Sequence, residues 1–419
     1  MTEPALSPVP RPESAGPGGA SFVELLERAF GQPETFAATV LPEVRARPEQ
    51  TLPVLLRVFD SPNVVAKNLV ADLFRGPLRE AGRPLLLAEL SSGAAERFYW
   101  ASVILADLQV GDAVPLLVKA LTGRPTPTVL AALRALARFD RPEAREAILA
   151  FFLTARDEVQ LSSSIRILEG LAGFLVPRLL ERFAGLDQAR QAWVLKFLAE
   201  TGAPAALEVF SQTLARDPCT LGVFCIRGLG RIGTPAAVAA LTQHLGHREW
   251  FLRKKVVEAL GQAKTVEAIP PLIAALTDAA VQVRAAAIES LSKVGGLAPR
   301  LMIEAFDRAP PVQKIGLIRA MGQIGDRAFL PVLVGALQDR SLLFFGLDAL
   351  GDLGQPEGAE ALRPFLTDAE WFNRMNALEA LAKLDPPNLA DLAQTCLQDP
   401  NDMVRNAAAR ILARARPAS

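Results

Sequence analysis

The feature that most constrains this chain is a repeat. Short Gly-ended apolar helices close at Gly202, Gly233, Ala263, Gly295, Gly325, Gly354 and Leu384, at spacings of 31, 30, 32, 30, 29 and 30 residues. A fixed period of this length marks an array of supersecondary units, none of which buries its own apolar face alone. The clearest unit, Ala268 to Gly295, reads as an apolar helix with proline in its first turn, an Asp-led turn and a second helix. From about Ser21 onward the apolar residues recur with helical spacing and no run alternates with period two, which predicts an all-α fold.

Composition excludes several classes. The 419 residues hold 45 Lys+Arg against 45 Asp+Glu, so there is no bulk attraction to a polyanion. Three scattered cysteines, Cys219, Cys225 and Cys396, do not make a disulfide framework; they point to a reducing, cytoplasmic setting and to small core residues. No stretch reads as an export signal or a membrane span. His244 and His247 are the only histidines, and the turn at Gly246 separates them, so neither a metal set nor a cofactor is expected. No P-loop, dinucleotide fingerprint or nucleophile elbow is present, and the chain is expected not to be an enzyme.

The openings of the second helices, "LRKKVVEAL" from Leu252, "VRAAAIESL" from Val283, "NRMNALEAL" from Asn373 and "VRNAAARIL" from Val404, carry a family likeness. With the Asp-led turns at Asp278 and Asp399 they resemble HEAT repeats of the short bacterial kind known from phycobilisome lyases. The resemblance implies a right-handed α-solenoid of about twelve helix pairs, with the second helices on its concave side. The expected organisation is a disordered tail over 1–20, capping helices over 21–50, degenerate repeats over 51–202, regular repeats over 203–415 and a short tail over 416–419. The chromophore chemistry of lyases does not follow from the repeat. Iron-binding HEAT hydroxylases use His-Glu pairs, which are absent here.

A register mark near the end of each second helix, Leu198, Leu229, Leu260, Leu291, Met321, Leu350, Leu381 and Leu412, sorts the remaining positions. Seven residues earlier stand Arg253, Arg284, Lys314, Arg374 and Arg405, interrupted by Leu343. Two helical turns from the mark, this column belongs at the repeat junction, and Asp278, Asp368 and Asp399 lie six residues before three of its members. A structural ladder is expected there.

Two residues before the mark, about 160° from it given 3.6 residues per turn, the side chains should face solvent. That column runs Lys196, Arg227, Glu258, Glu289, Arg319, Asp348, Glu379 and Arg410, with Arg134 in the same register earlier. It reads as basic before about residue 230 and mostly acidic from 258 to 379. Nearby outward positions add Trp193, Phe224, Phe344, Phe345 and Met375. Phe344 and Phe345 either pack inside a rotated repeat or form an apolar pocket flanked by Glu289, Asp348 and Glu379. The "EWF" triplets at Glu249 and Glu370 are expected to pack onto a neighbouring repeat. The cluster of Arg248, Trp250, Arg253, Lys254 and Lys255 is the best local candidate for an anionic ligand, and the basis of an alternative nucleic-acid-binding or glycosylase-like reading. The favoured reading is a protein-binding scaffold or adaptor whose partner, another protein or peptide, meets the basic set Trp193, Lys196, Phe224 and Arg227 or the acidic-apolar set Phe344, Phe345, Met375, Glu289, Asp348 and Glu379.

Overall fold

A computed structural model describes residues 17–92 and 94–415. Among these residues the chain is helical with no strand, and the fold is an α-solenoid. It forms two compact units, divided between Glu181 and Arg182. The tails expected over 1–20 and 416–419 lie outside the described residues except for 17–20, which belong to the helix Pro17–Ala29.

In unit 1 the helices Val64–Arg75, Ala95–Asp107, Thr126–Arg138 and Glu158–Leu168 stack on one another in sequence order. A second layer is made by Arg79–Ser92, Ala113–Lys119 and Pro142–Thr154. The irregular turns of this half are closed by local caps: Asn63 accepts from the Ala66 amide at 3.0 Å, and Asp157 accepts from the Val159 and Gln160 amides at 2.9 and 3.0 Å.

Unit 2 repeats the arrangement with greater regularity. Its inner layer comprises α1 (Gln188–Thr201), α2 (Gly222–Ile232), α3 (Trp250–Gln262), α4 (Val281–Val294), α5 (Pro311–Ile324), α6 (Leu343–Leu353), α7 (Trp371–Leu384) and α8 (Asp402–Ala415). Each packs on the next, and shorter helices such as Ile269–Ala275 and Leu330–Ala336 form the outer layer. The register marks from Leu198 to Leu381 are fully buried, each contributing about 1.5–3 kcal/mol of apolar transfer. Leu412, on the last helix, is half-buried.

Two glycine roles shape the inner layer. Gly202, Gly233, Gly325 and Gly354 close α1, α2, α5 and α6 with a positive φ, as the period anticipates; at α7 that backbone falls on Asp385 (φ 48°) instead of Leu384. The second role is close stacking. A Cβ on Gly230 would lie 2.8 Å from the Ala259 carbonyl oxygen, one on Gly322 2.8 Å from that of Ala349, and one on Gly351 2.8 Å from Ala380 Cα. Each follows its register mark by one residue, so only a hydrogen fits where successive inner helices touch.

One run, Glu158–Gly185, is long and apolar enough by composition to cross a bilayer, which the search for charge-free stretches did not single out. It joins an inner-layer helix to Ala172–Arg182 through a 3₁₀ turn at Glu169–Leu171, and Arg166 and Arg178 lie along it.

Candidate functional site

The column of cations seven residues before the marks is a seam between repeats. Arg253 donates Nε and Nη2 to the two carboxylate oxygens of Asp278 at 2.7 and 2.8 Å, and Arg374 does the same to Asp399 at 2.7 Å twice. Both pairs are nearly closed to solvent, with 11% exposure for the Arg374 side chain and 7% for Asp399. The expected partners within one repeat meet through backbone: Arg284 donates to the Asp278 carbonyl, Arg374 to that of Asp368 and Arg405 to that of Asp399. The carboxylates instead reach back to the preceding repeat. Where Leu343 interrupts the column, Arg340 supplies the cation and donates to Asp368 at 2.6 Å. Hydrogen bonding from the arginine holds the carboxyl of Asp278, and likewise that of Asp399, below the ordinary carboxylate range.

The column two residues before the marks is exposed or half-buried at all eight positions, as its register requires. Six of its eight charges, however, are paired. Arg227 shares Glu200 with Arg231, both at 2.6 Å; Glu258 meets Lys255 at 2.8 Å; Glu289 meets Lys293 at 2.8 Å. Lys383 binds Asp348 at 2.8 Å and Asp352 at 2.7 Å, and Arg410 reaches Glu379 at 3.0 Å. Burial alone would lower the Lys383 pKa, but the two carboxylates more than offset it and raise it. The acidic part of the gradient read along the sequence is thereby countered by local cations, while at its basic end Arg227 and Arg231 share a single carboxylate. Lys196 sits 4.6 Å over the half-buried Trp193 ring, and Phe224 is half-buried nearby in sequence.

The aromatics are more open than sequence suggests. Phe344 is 44% exposed and Phe345 half-buried, the two rings meeting edge to face at 5.4 Å. Phe344 therefore faces outward, while Phe345 is partly covered. Phe344 also approaches Phe372 at 6.3 Å, and Phe372 meets Trp371 at 6.0 Å. The second "EWF" triplet thus touches a neighbouring repeat yet leaves Trp371 38% and Phe372 36% exposed. Asn376 donates to the Phe344 carbonyl at 3.2 Å, fixing α7 against α6 beneath the cluster, and Met375 is half-buried beside it.

These residues belong to a pattern that sequence reasoning missed. Most exposed large apolar side chains of the described residues lie in the first turn of an inner helix: Trp250 and Phe251 on α3, Val281 on α4, Val312 on α5, Phe344 on α6, Trp371 and Phe372 on α7, and Met403 on α8. The signal was present in the repeat itself, since all stand nine to ten residues before a mark except Phe344 at six.

Each cation of the cluster near Trp250 has a carboxylate beside it, although Lys254 and Lys255 share one. Arg253 is committed to Asp278 and to the His247 and Arg248 carbonyls; Lys254 and Lys255 both face Glu258; Arg248 lies 3.5 Å from Glu249. His247 accepts the Glu249 amide on Nδ1 at 3.1 Å. Cys225 is a core thiol, its pKa pushed up to about 12 by burial, and Cys396 is also buried, but Cys219 is exposed, contrary to its expected place in the core. Among the described residues no three His, Cys, Asp or Glu side chains gather into a metal set.

The family model for HEAT repeats matches residues 222–292 and 344–413. These two segments carry the HEAT repeat pattern. They include α2 to α4 and α6 to α8, and thus both seam pairs and the Phe344 cluster. No curated protein sequence matches the chain. Among solved structures it is similar to an engineered protein, at 20% identity over 88% of this chain and 99% of the other with a TM-score of 0.31. Importin beta is 12% identical over 95% of this chain and 69% of its own, TM-score 0.43. Kap121p is 14% identical with a TM-score of 0.46; 94% of this chain is covered, but only about half of Kap121p, 53%.

Proposed function

We propose that the chain is a non-enzymatic, cytoplasmic scaffold that binds a protein partner along the apolar first turns of its inner helices, with Phe344, Phe345, Trp371 and Phe372 as the principal anchor. The observation that carries this reading is the exposed aromatic cluster itself. Soluble surfaces rarely keep several large rings together unless a partner covers them, and aromatic side chains dominate binding energy at interfaces. Phe344 and Asp348 stand four residues apart on α6, and Met375 and Glu379 four apart on α7, so polar pairs border the rings on the same faces. An apolar centre with a polar, locally neutral rim suits an amphipathic helix or extended peptide whose recognition rests on its apolar side chains. The commitment of Arg253 to Asp278, and of Lys254 and Lys255 to one Glu258, leaves little charge for a nucleic-acid reading at Trp250. The free thiols favour a reducing compartment.

The test is affinity capture with the full chain as bait beside a Phe344→Ser/Trp371→Ser variant of unchanged circular dichroism. Proteins retained by the parent should be lost or reduced at least tenfold with the variant. An unchanged set of retained proteins would remove the reading.

A further inference from the structure

Unit 1 carries a pocket of different character on its inner layer. Tyr99 on Ala95–Asp107, Arg134 and Arg138 on Thr126–Arg138, and Ser163 and Arg166 on Glu158–Leu168 line a cavity of about 510 Å³ with no carboxylate in its wall. Arg134 and Arg166 are both exposed and both stand two residues before a buried leucine, Leu136 and Leu168, in the outward register.

Neighbouring cations of this part of the unit are paired with carboxylates, and these two are not. Arg75 and Arg138 converge on Asp107, Arg83 pairs with Asp112, Arg97 with Asp60 and Glu89, and Arg145 with Asp140. Among the described residues no carboxylate lies within ion-pair distance of Arg134 or Arg166, and Asp107 is already shared by two cations. Adjacent packed helices stand about 8–10 Å apart, so long side chains from both can reach one group between them.

The geometry points to a binding site for a phosphoryl group borne by a partner peptide, which rests on the protein-binding reading above and extends it to unit 1. Two guanidinium forks, the Tyr99 phenol and the Ser163 hydroxyl offer more donors than the roughly four lone-pair sites of one carboxylate can use. A phosphoryl group has three terminal oxygens and about two negative charges at neutral pH, which match that donor set and charge. A polynucleotide would need cations tracking several phosphates, whereas the two arginines face a single cavity and the chain as a whole carries no net charge.

The test uses the full chain and fluorescence anisotropy with three labelled peptide pools, degenerate at three positions on each side of a central phosphoserine, serine or glutamate, plus a twelve-nucleotide oligothymidylate. The phosphoserine pool should bind at least tenfold more tightly than each of the other probes. Arg134→Gln and Arg166→Gln should each weaken it about tenfold with unchanged circular dichroism, while Arg145→Gln, outside the cavity, should leave it unchanged. Equal binding of the glutamate pool would overturn the phosphoryl assignment, as would tighter binding of the oligonucleotide, or parent-like affinity in the double variant. Failure of all probes on the parent would remove this site and leave the aromatic anchor of unit 2, tested by its own variants, unaffected.

Discussion

At Arg374, one guanidinium serves two repeats: a bidentate bond to Asp399 on one side and a bond to the Asp368 carbonyl on the other. Removing one member of a nearly closed pair strands the other, which costs about 3–5 kcal/mol. Arg374→Ala and Asp399→Ala are each expected to lower stability by that order, and the double variant by much less than the sum, as urea denaturation would show. The pair also dictates a pH response. Folding depresses the carboxyls of Asp278 and Asp399 below their ordinary value of 3.8, so their stabilising contribution is complete above that value. It is lost as pH falls through the depressed folded value. An acid titration followed by circular dichroism should therefore show a stability loss below about pH 4, with a shallower slope in Asp278→Asn and Asp399→Asn. An unchanged slope in both variants would show that these carboxyls do not govern acid unfolding. The role of the column as structural was legible from its seven-residue offset to the buried marks. Which carboxylate each arginine takes was not, because an aspartate six residues away in sequence and one 25 residues ahead lie at the same turn edge in space.

At the scale of the helix, contact between successive inner helices depends on what is missing. Gly322 abuts Ala349 on α6, and a Cβ there would sit 2.8 Å from backbone, so α5 and α6 must separate to admit one. Gly322→Val is expected to cost about 1–3 kcal/mol by overpacking. Gly335 provides the contrast: it is helical, and nothing lies within 4 Å of its notional Cβ. Gly335→Ala should be neutral or stabilising by up to about 1 kcal/mol. Thermal denaturation of the two variants separates close packing from glycine's general helix cost; equal shifts would contradict the packing account. The helix pairs, their closing glycines and the buried marks followed from the period because each is a local property of the chain. The first-turn apolar rim did not, since periodicity assigns a face to a residue and cannot tell whether the neighbouring repeat extends far enough to cover it. Phe372 touches Phe344 of the preceding repeat, and both it and Trp371 remain partly open for that reason.

For the whole molecule, zero net charge reflects short-range accounting within each unit. Inner-face acids meet cations at Glu258, Glu289, Asp348 and Glu379, while Arg134 and Arg166 face a cavity without a carboxylate. Contacts in such arrays are mainly between neighbouring repeats, so stability is close to a sum of repeat and junction contributions. Residues 183–419, which contain the regular repeats and both seam pairs, are accordingly expected to fold as an isolated fragment. Helical circular dichroism with a cooperative urea transition would bear this out, and a non-cooperative helical melt would not. The seam has one more consequence. Arg253 to Asp278 and Arg374 to Asp399 both span 25 residues, from the inner helix of one repeat to the turn of the following one. An insertion or deletion between either arginine and its aspartate leaves a lone charge in a nearly closed junction, so at these two junctions the 25-residue spacing is held by electrostatics as well as by packing.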